Sequence, residues 1–165
     1  AVARQNAVRH DVRQRLQPVR ADFTRPLLRP ELLDLLVSNP PYVGKTEYEG
    51  LSAEVRDFEP VTALVPNFVD SDKIPSHDHH HDHGGSHSHA PSTPPDKPEG
   101  LEHLIAVAQE AFVALKPGGL LLMEHGYAQG AAIKVLLESH KWENVLILKD
   151  LSGHDRVASA RKPAA

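Results

Sequence analysis

Asn39-Pro40-Pro41-Tyr42 stands directly behind an apolar run, Leu32 to Ser38 (LLDLLVS). These residue types can grip a flat NH₂ group. The Asn39 side-chain oxygen and the Pro40 main-chain carbonyl can each accept one N–H of an amide or of a base amine. An amide nitrogen is a poor nucleophile because its lone pair is delocalised into the carbonyl. Two fixed acceptors would orient that pair toward an electrophilic methyl for in-line displacement. Proline fixes the backbone and removes competing donors, and Tyr42 offers a ring face to stack on a planar group. The plainer reading is a Pro-Pro turn after a buried strand, with a surface tyrosine. The apolar run feeding straight into SNPPY favours the clamp.

Such a clamp needs a strand to present it. LLDLLVS, a continuous apolar run stopped by residues that cannot continue a ladder, predicts a strand buried on both faces. Ahead of it, Ala1 to about His10 has helical spacing, and LQPVRAD reads as a short buried strand. Downstream, LEHLIAVAQEAFVAL repeats apolar residues at helical spacing, and Lys116-Pro117-Gly118-Gly119 reads as its stop. A strand over Leu120 to Glu124, a helix over Ala131 to His140 and strands at Val145 to Leu148 and Arg156 to Arg161 complete the order, the last two joined through Gly153. Strands alternating with helices until a final pair of strands predict an α/β layered fold. Its sheet would be mostly parallel, closed by a C-terminal antiparallel hairpin. In such sheets ligands bind where strands end at their carboxyl edge, which is where Asn39 falls.

The 165 residues, 40% of them apolar, suffice for one core of ordinary size, so residues 1–165 are read as one unit. The formal net charge of -4 offers no field to hold a polyanion, which weighs against a nucleic-acid partner outside a ribosomal context. Without cysteine there are no disulfides and no thiolate chemistry, which fits a reducing compartment, read as the cytoplasm or, in a eukaryote, an organelle. No apolar run approaches the ~18 residues of a membrane span. The opening AVARQNAVRHDVRQRL reads as mid-helix with no cap ahead of it, which implies that further chain precedes Ala1.

Residues 66–99 are read as a His- and Pro-rich disordered insertion. Seven of the twelve histidines lie between His77 and His89. They can collect a divalent metal adventitiously, but they show no ordered ligand spacing. No catalytic metal site is expected. Glu124 and His125, at the end of a strand, are assigned a positioning role before an acid/base one. The acids and Arg56 of EVRDFEP either face a protein substrate or solvate a loop. Trp142 reads as packing between a helix and a strand, and Lys134 with Glu138 as a solvated-face pair.

DLLVSNPPYV resembles the signature of amino-methyltransferases that act on planar NH₂ groups. With EVRDFEPVTALV, LKPGGLLLMEHGYAQG and DLSGHDRVASAR in order behind it, the chain is similar to the HemK/PrmC family of release factor glutamine methyltransferases. The resemblance implies an incomplete Rossmann-like class I fold, S-adenosylmethionine as cofactor and a peptide chain release factor as protein partner. It implies that Asn39, Pro40, Pro41 and Tyr42 form the amide clamp, with Asn39 also near the methyl donor. It further implies that Asp22 and Phe23 stand beside the donor's adenine. Taken alone, Asp22-Phe23 reads better as a strand-ending turn with a core phenylalanine. The Gly-rich loop and ribose-binding acid that such a donor pocket uses are not found in the sequence, so the isolated chain is expected to bind the donor weakly and turn over little. The alternatives are an amino-methyltransferase of DNA or RNA and a non-catalytic metal-binding fragment.

Overall fold

A computed structural model describes residues 2–23, 25–67 and 99–164. The predicted His-rich insertion and its metal-collecting tract lie almost wholly outside the described residues.

The described chain is mixed α/β. Helix α1 (Val2–Arg9) leads through a short 3-10 turn and an irregular stretch to β1 (Leu33–Ser38). Three short helices follow, α2 (Lys45–Glu49), α3 (Ala53–Phe58) and α4 (Val61–Leu64). Then come α5 (Glu102–Ala114), β2 (Leu115–Glu124), α6 (Gly130–Ser139), β3 (Glu143–Lys149) and β4 (Asp155–Arg161). The sheet has the order β1-β2-β4-β3. β1 pairs with β2 in parallel, β4 inserts antiparallel beside β2, and β3 pairs antiparallel with β4. The closing hairpin is therefore present. Only one of the three pairings is parallel, although β1, β2 and β3 run the same way, because the hairpin reverses β4 between β2 and β3.

Helix α5 buries Leu104, Val107, Ala108, Ala111 and Ala114, the 3–4 spacing of one helix face, against the sheet. Leu121, Met123, Ala158 and Ala160 from the two central strands meet that face, and Ile133 and Leu137 of α6 close the core with Trp142, the residue before β3. Trp142 is 5% exposed and meets Phe112 edge-on at 5.3 Å, the packing role its position implied. Lys134 and Glu138 pair at 3.3 Å on the outer face of α6.

Three expectations are corrected. LQPVRAD forms no strand: Leu16 and Val19 are exposed, and Pro18 supplies no N–H to a ladder. β1 is not buried on both faces. It lies at the edge of the described sheet, with Leu35 48% and Val37 68% exposed. Lys116-Pro117-Gly118-Gly119 is not a loop after a helix but part of β2. Helix α5 passes into the strand at Leu115, whose φ of -72° and ψ of 141° are already extended. Gly118, at φ +76°, absorbs the irregularity where β1 and β2 shift register.

Candidate active site at the end of β1

The chain leaves β1 at Ser38 and turns outward. Asn39 is exposed and Pro40 is buried. Both line a cavity of about 300 Å³, together with Tyr42, Val55, Glu59 and Leu64. The Asn39 side chain makes no hydrogen bond among the described residues. Pro41 is half-buried and does not line the cavity. Of the EVRDFEP residues, Val55 and Glu59 face the cavity, whereas Arg56 pairs with Asp57 at 3.2 Å on the surface.

Tyr42 is tied down at its far end. Its hydroxyl donates to Glu124 Oε1 at 2.9 Å, and its ring packs on the core cluster. Arg156 reaches the Tyr42 oxygen at 3.5 Å and the His125 carbonyl at 3.4 Å, contacts that are long for hydrogen bonds and act mainly through charge. Its Nε faces Asp150 Oδ2 at 3.4 Å, and the same carboxylate accepts the Ser152 and His154 amides at 2.9 and 3.0 Å. These amide bonds, His154 first, hold the Asp150 carboxyl below its ordinary value. Burial, reinforced by the neighbouring Glu124 carboxylate, pushes the Tyr42 phenol above its own. The phenol therefore serves as a protonated donor in this network. His125 is fully buried, and its Nδ1 lies 2.8 Å from the Gly126 carbonyl. A carbonyl can only accept, so Nδ1 carries the proton. Glu124 thus holds the loop through Tyr42, and neither it nor His125 lines the cavity.

Asp22 and Phe23 form a separate cluster. Asp22 pairs with Arg25 at 3.6 Å, and Phe23 meets the His103 ring edge-on at 5.1 Å. His103 Nε2 lies 3.3 Å from Asn67 Oδ1, and burial pushes this imidazole below its ordinary value. Neither Asp22 nor Phe23 lines the Asn39 cavity. The fit to a methyl donor therefore divides: Asn39 stands at the cavity, and the two residues proposed for adenine stand outside it.

Long-range partners of the loop escaped the sequence reading. Gln129, 4% exposed, donates to the Tyr42 carbonyl, and Glu99 accepts from Thr46 at the start of α2. Gln129 and Arg156 lie within the motifs EHGYAQG and SGHDR, but their partners are 87 and 114 residues away. Local spacing carries no sign of such contacts. A second cleft of about 410 Å³ lies between α5 and α6, lined mainly by apolar side chains such as Ile105, Phe112, Leu136 and Trp142, and contains none of the loop residues. Among the described residues no group of His, Asp or Glu could hold a metal ion, and no helix is long and apolar enough to cross a membrane.

No family model matches the chain. Among solved structures it resembles a possible exported protein from Bordetella parapertussis, with a TM-score of 0.52 over 98% of this chain and 49% of that one, at 16% identity, a likeness of fold alone. It is 43% identical to a release factor glutamine methyltransferase of Nitratidesulfovibrio vulgaris over 98% of this chain and 45% of that protein. It is 38% identical to one of Cereibacter sphaeroides over 100% of this chain and 48% of that protein, and 32% identical to one of Pasteurella multocida over 95% and 42%. The chain spans about half the length of these curated relatives. Over nearly its whole length, then, the chain is similar to release factor glutamine methyltransferases.

Proposed function

We propose that the protein transfers a methyl group from S-adenosylmethionine to the side-chain amide nitrogen of a glutamine in a peptide chain release factor, in the cytoplasm. The observation that carries this reading is the exposed Asn39 beside Pro40 at the mouth of the cavity, in a chain so similar to release factor glutamine methyltransferases. The finer fold assignment that accompanies it is the carboxyl-terminal part of a Rossmann-like class I domain.

When bound, S-adenosylmethionine supplies an electrophilic methyl. This chain's own residues would hold the acceptor. The Asn39 side-chain oxygen and the Pro40 carbonyl accept the two amide hydrogens, which fixes the plane of the glutamine NH₂ and hence the axis of its lone pair, perpendicular to that plane. Pro41 limits the freedom of that backbone. Tyr42, fixed by Glu124, presents its ring along one wall. Val55 and Leu64 supply an apolar side for the glutamine methylenes. Water can take the proton that the product amide loses, so no side-chain base is required. Asp22 and Phe23 are proposed as donor contacts through the family resemblance.

The test is radiolabelled methyl transfer to a release factor, with duplex DNA and transfer RNA as competitors, followed by hydrolysis of the labelled product. N-methylated glutamine supports the reading. Label in nucleic acid alone would assign the clamp to a base amine instead.

A further inference from the structure

We propose that Gln129 is the positioning residue for the Asn39–Tyr42 loop, locking it to the chain that returns at Glu99; the consequence for catalysis rests on the function proposed above. Gln129 stands at the N-cap of α6 and is 4% exposed. Its Nε2 donates one hydrogen to the Tyr42 carbonyl at 2.9 Å and the other to the Glu99 carbonyl at 2.7 Å. Its Oε1 accepts the Gly126 amide at 2.9 Å. Both donors and the acceptor of one buried amide are thereby engaged with three separate backbone segments.

The surroundings are shaped to admit this side chain. A Cβ on Gly100, which has φ +80°, would stand 2.1 Å from the Tyr42 oxygen and 3.0 Å from Gln129 Nε2. A Cβ on Gly126 would stand 3.2 Å from Gln129 Oε1. The Gln129 backbone is itself fixed, since its N–H donates to the Gly126 carbonyl at 2.9 Å and its carbonyl accepts from Ile133 at 3.0 Å. Glu99 carries the lock onward: its carboxylate accepts both the N–H and the hydroxyl of Thr46, at 3.1 and 2.7 Å. The loop is thus held behind Tyr42 and again at the start of α2, by residues that line no part of the cavity.

The chemistry singles out glutamine. A glutamate there would keep an acceptor for Gly126 but turn a carboxylate toward two carbonyl oxygens. An alanine would leave the Tyr42 and Glu99 carbonyls and the buried Gly126 amide without this partner. Gln129→Glu therefore separates hydrogen bonding from mere filling of space.

The experiment compares Gln129→Ala, Gln129→Glu and the surface control Lys134→Ala by amide hydrogen exchange and, in the sequence extended to the full length of its curated relatives, by kcat and KM for methyl transfer to a release factor. Both Gln129 variants should speed exchange at Val43 and Thr46 by about 10-fold or more while β2 amides stay within about 2-fold. Both should lower kcat by about 10-fold or more, with a smaller change in KM. Wild-type exchange and kcat in Gln129→Glu would overturn the proposal. Acceleration of loop and β2 amides together would also overturn it, by reducing Gln129 to a contributor to global stability. If the wild-type sequence, extended to the full length of its curated relatives, transfers no methyl, the functional reading fails, and the exchange comparison alone still decides the role of Gln129.

Discussion

The Tyr42 hydroxyl donates to Glu124 across 2.9 Å, fastening the loop that leaves β1 to the last residue of β2, a neighbour 82 positions away in the chain. Burial first, and the carboxylate next, raise the phenol above its ordinary value. The stability linked to this proton is whole below the ordinary tyrosine value of 10.0 and is lost as pH rises through the raised one. Ultraviolet titration of the wild type against Tyr42→Phe should isolate a late-titrating phenol, and Glu124→Gln should bring it part of the way back. A Tyr42 phenol that titrates early would refute the buried network.

Glu99 behaves in the opposite sense. The Thr46 hydroxyl and amide hold its carboxyl below the ordinary value. Its contribution is therefore present above the ordinary glutamate value and is lost as pH falls through the depressed one. Glu99→Gln should flatten the acid side of the stability curve and loosen α2, as read by denaturation between neutral and acidic pH. An unchanged acid limb would mean that Thr46 is capped by solvent.

Asn39 separates chemistry from folding. Its side chain is exposed and makes no hydrogen bond among the described residues, so Asn39→Ala should alter stability by no more than about 0.5 kcal/mol. Loss of one acceptor that orients the amide should lower kcat by roughly 100-fold or more. Equal activity in the variant would remove Asn39 from the clamp.

The two sheet strands should respond unequally to truncation. Met123 is fully buried beneath α5, and Met123→Ala should cost about 2–5 kcal/mol in urea denaturation. Val37, 68% exposed on β1, should cost less than about 1 kcal/mol on conversion to Thr. Similar losses at both positions would mean that the outer face of β1 is covered in solution.

The sequence revealed those parts of the fold whose cause is local. The 3–4 spacing of Leu104, Val107, Ala108 and Ala111 is a property of a single helix, and α5 forms where it places it. The final hairpin follows from two apolar runs and Gly153, which has φ +84°. At Lys116–Gly119 the same local reading failed, since pairing with β1 extended the strand through residues that resemble a helix stop. LQPVRAD failed for the reverse reason, as its apolar residues find no ladder among the described strands. At the candidate site, Asn39, Pro40 and Tyr42 line one cavity and are near neighbours in the chain, so a local motif holds them. Gln129, Glu99 and Arg156 were not legible in the sequence, because hydrogen bonds spanning 30 to 114 residues leave no periodic trace.

Helix α5 runs into β2 with no intervening linker, and that seam limits how the molecule can vary. One residue inserted between Ala114 and Leu115 would invert the inside-outside order of the strand, exposing Leu121 and Met123 and driving Leu120 and Leu122 into the space under the helix. The same slip would carry Glu124 away from the tyrosine it anchors. Changes of length are therefore barred at this joint, ten residues ahead of the carboxylate that holds the loop after β1.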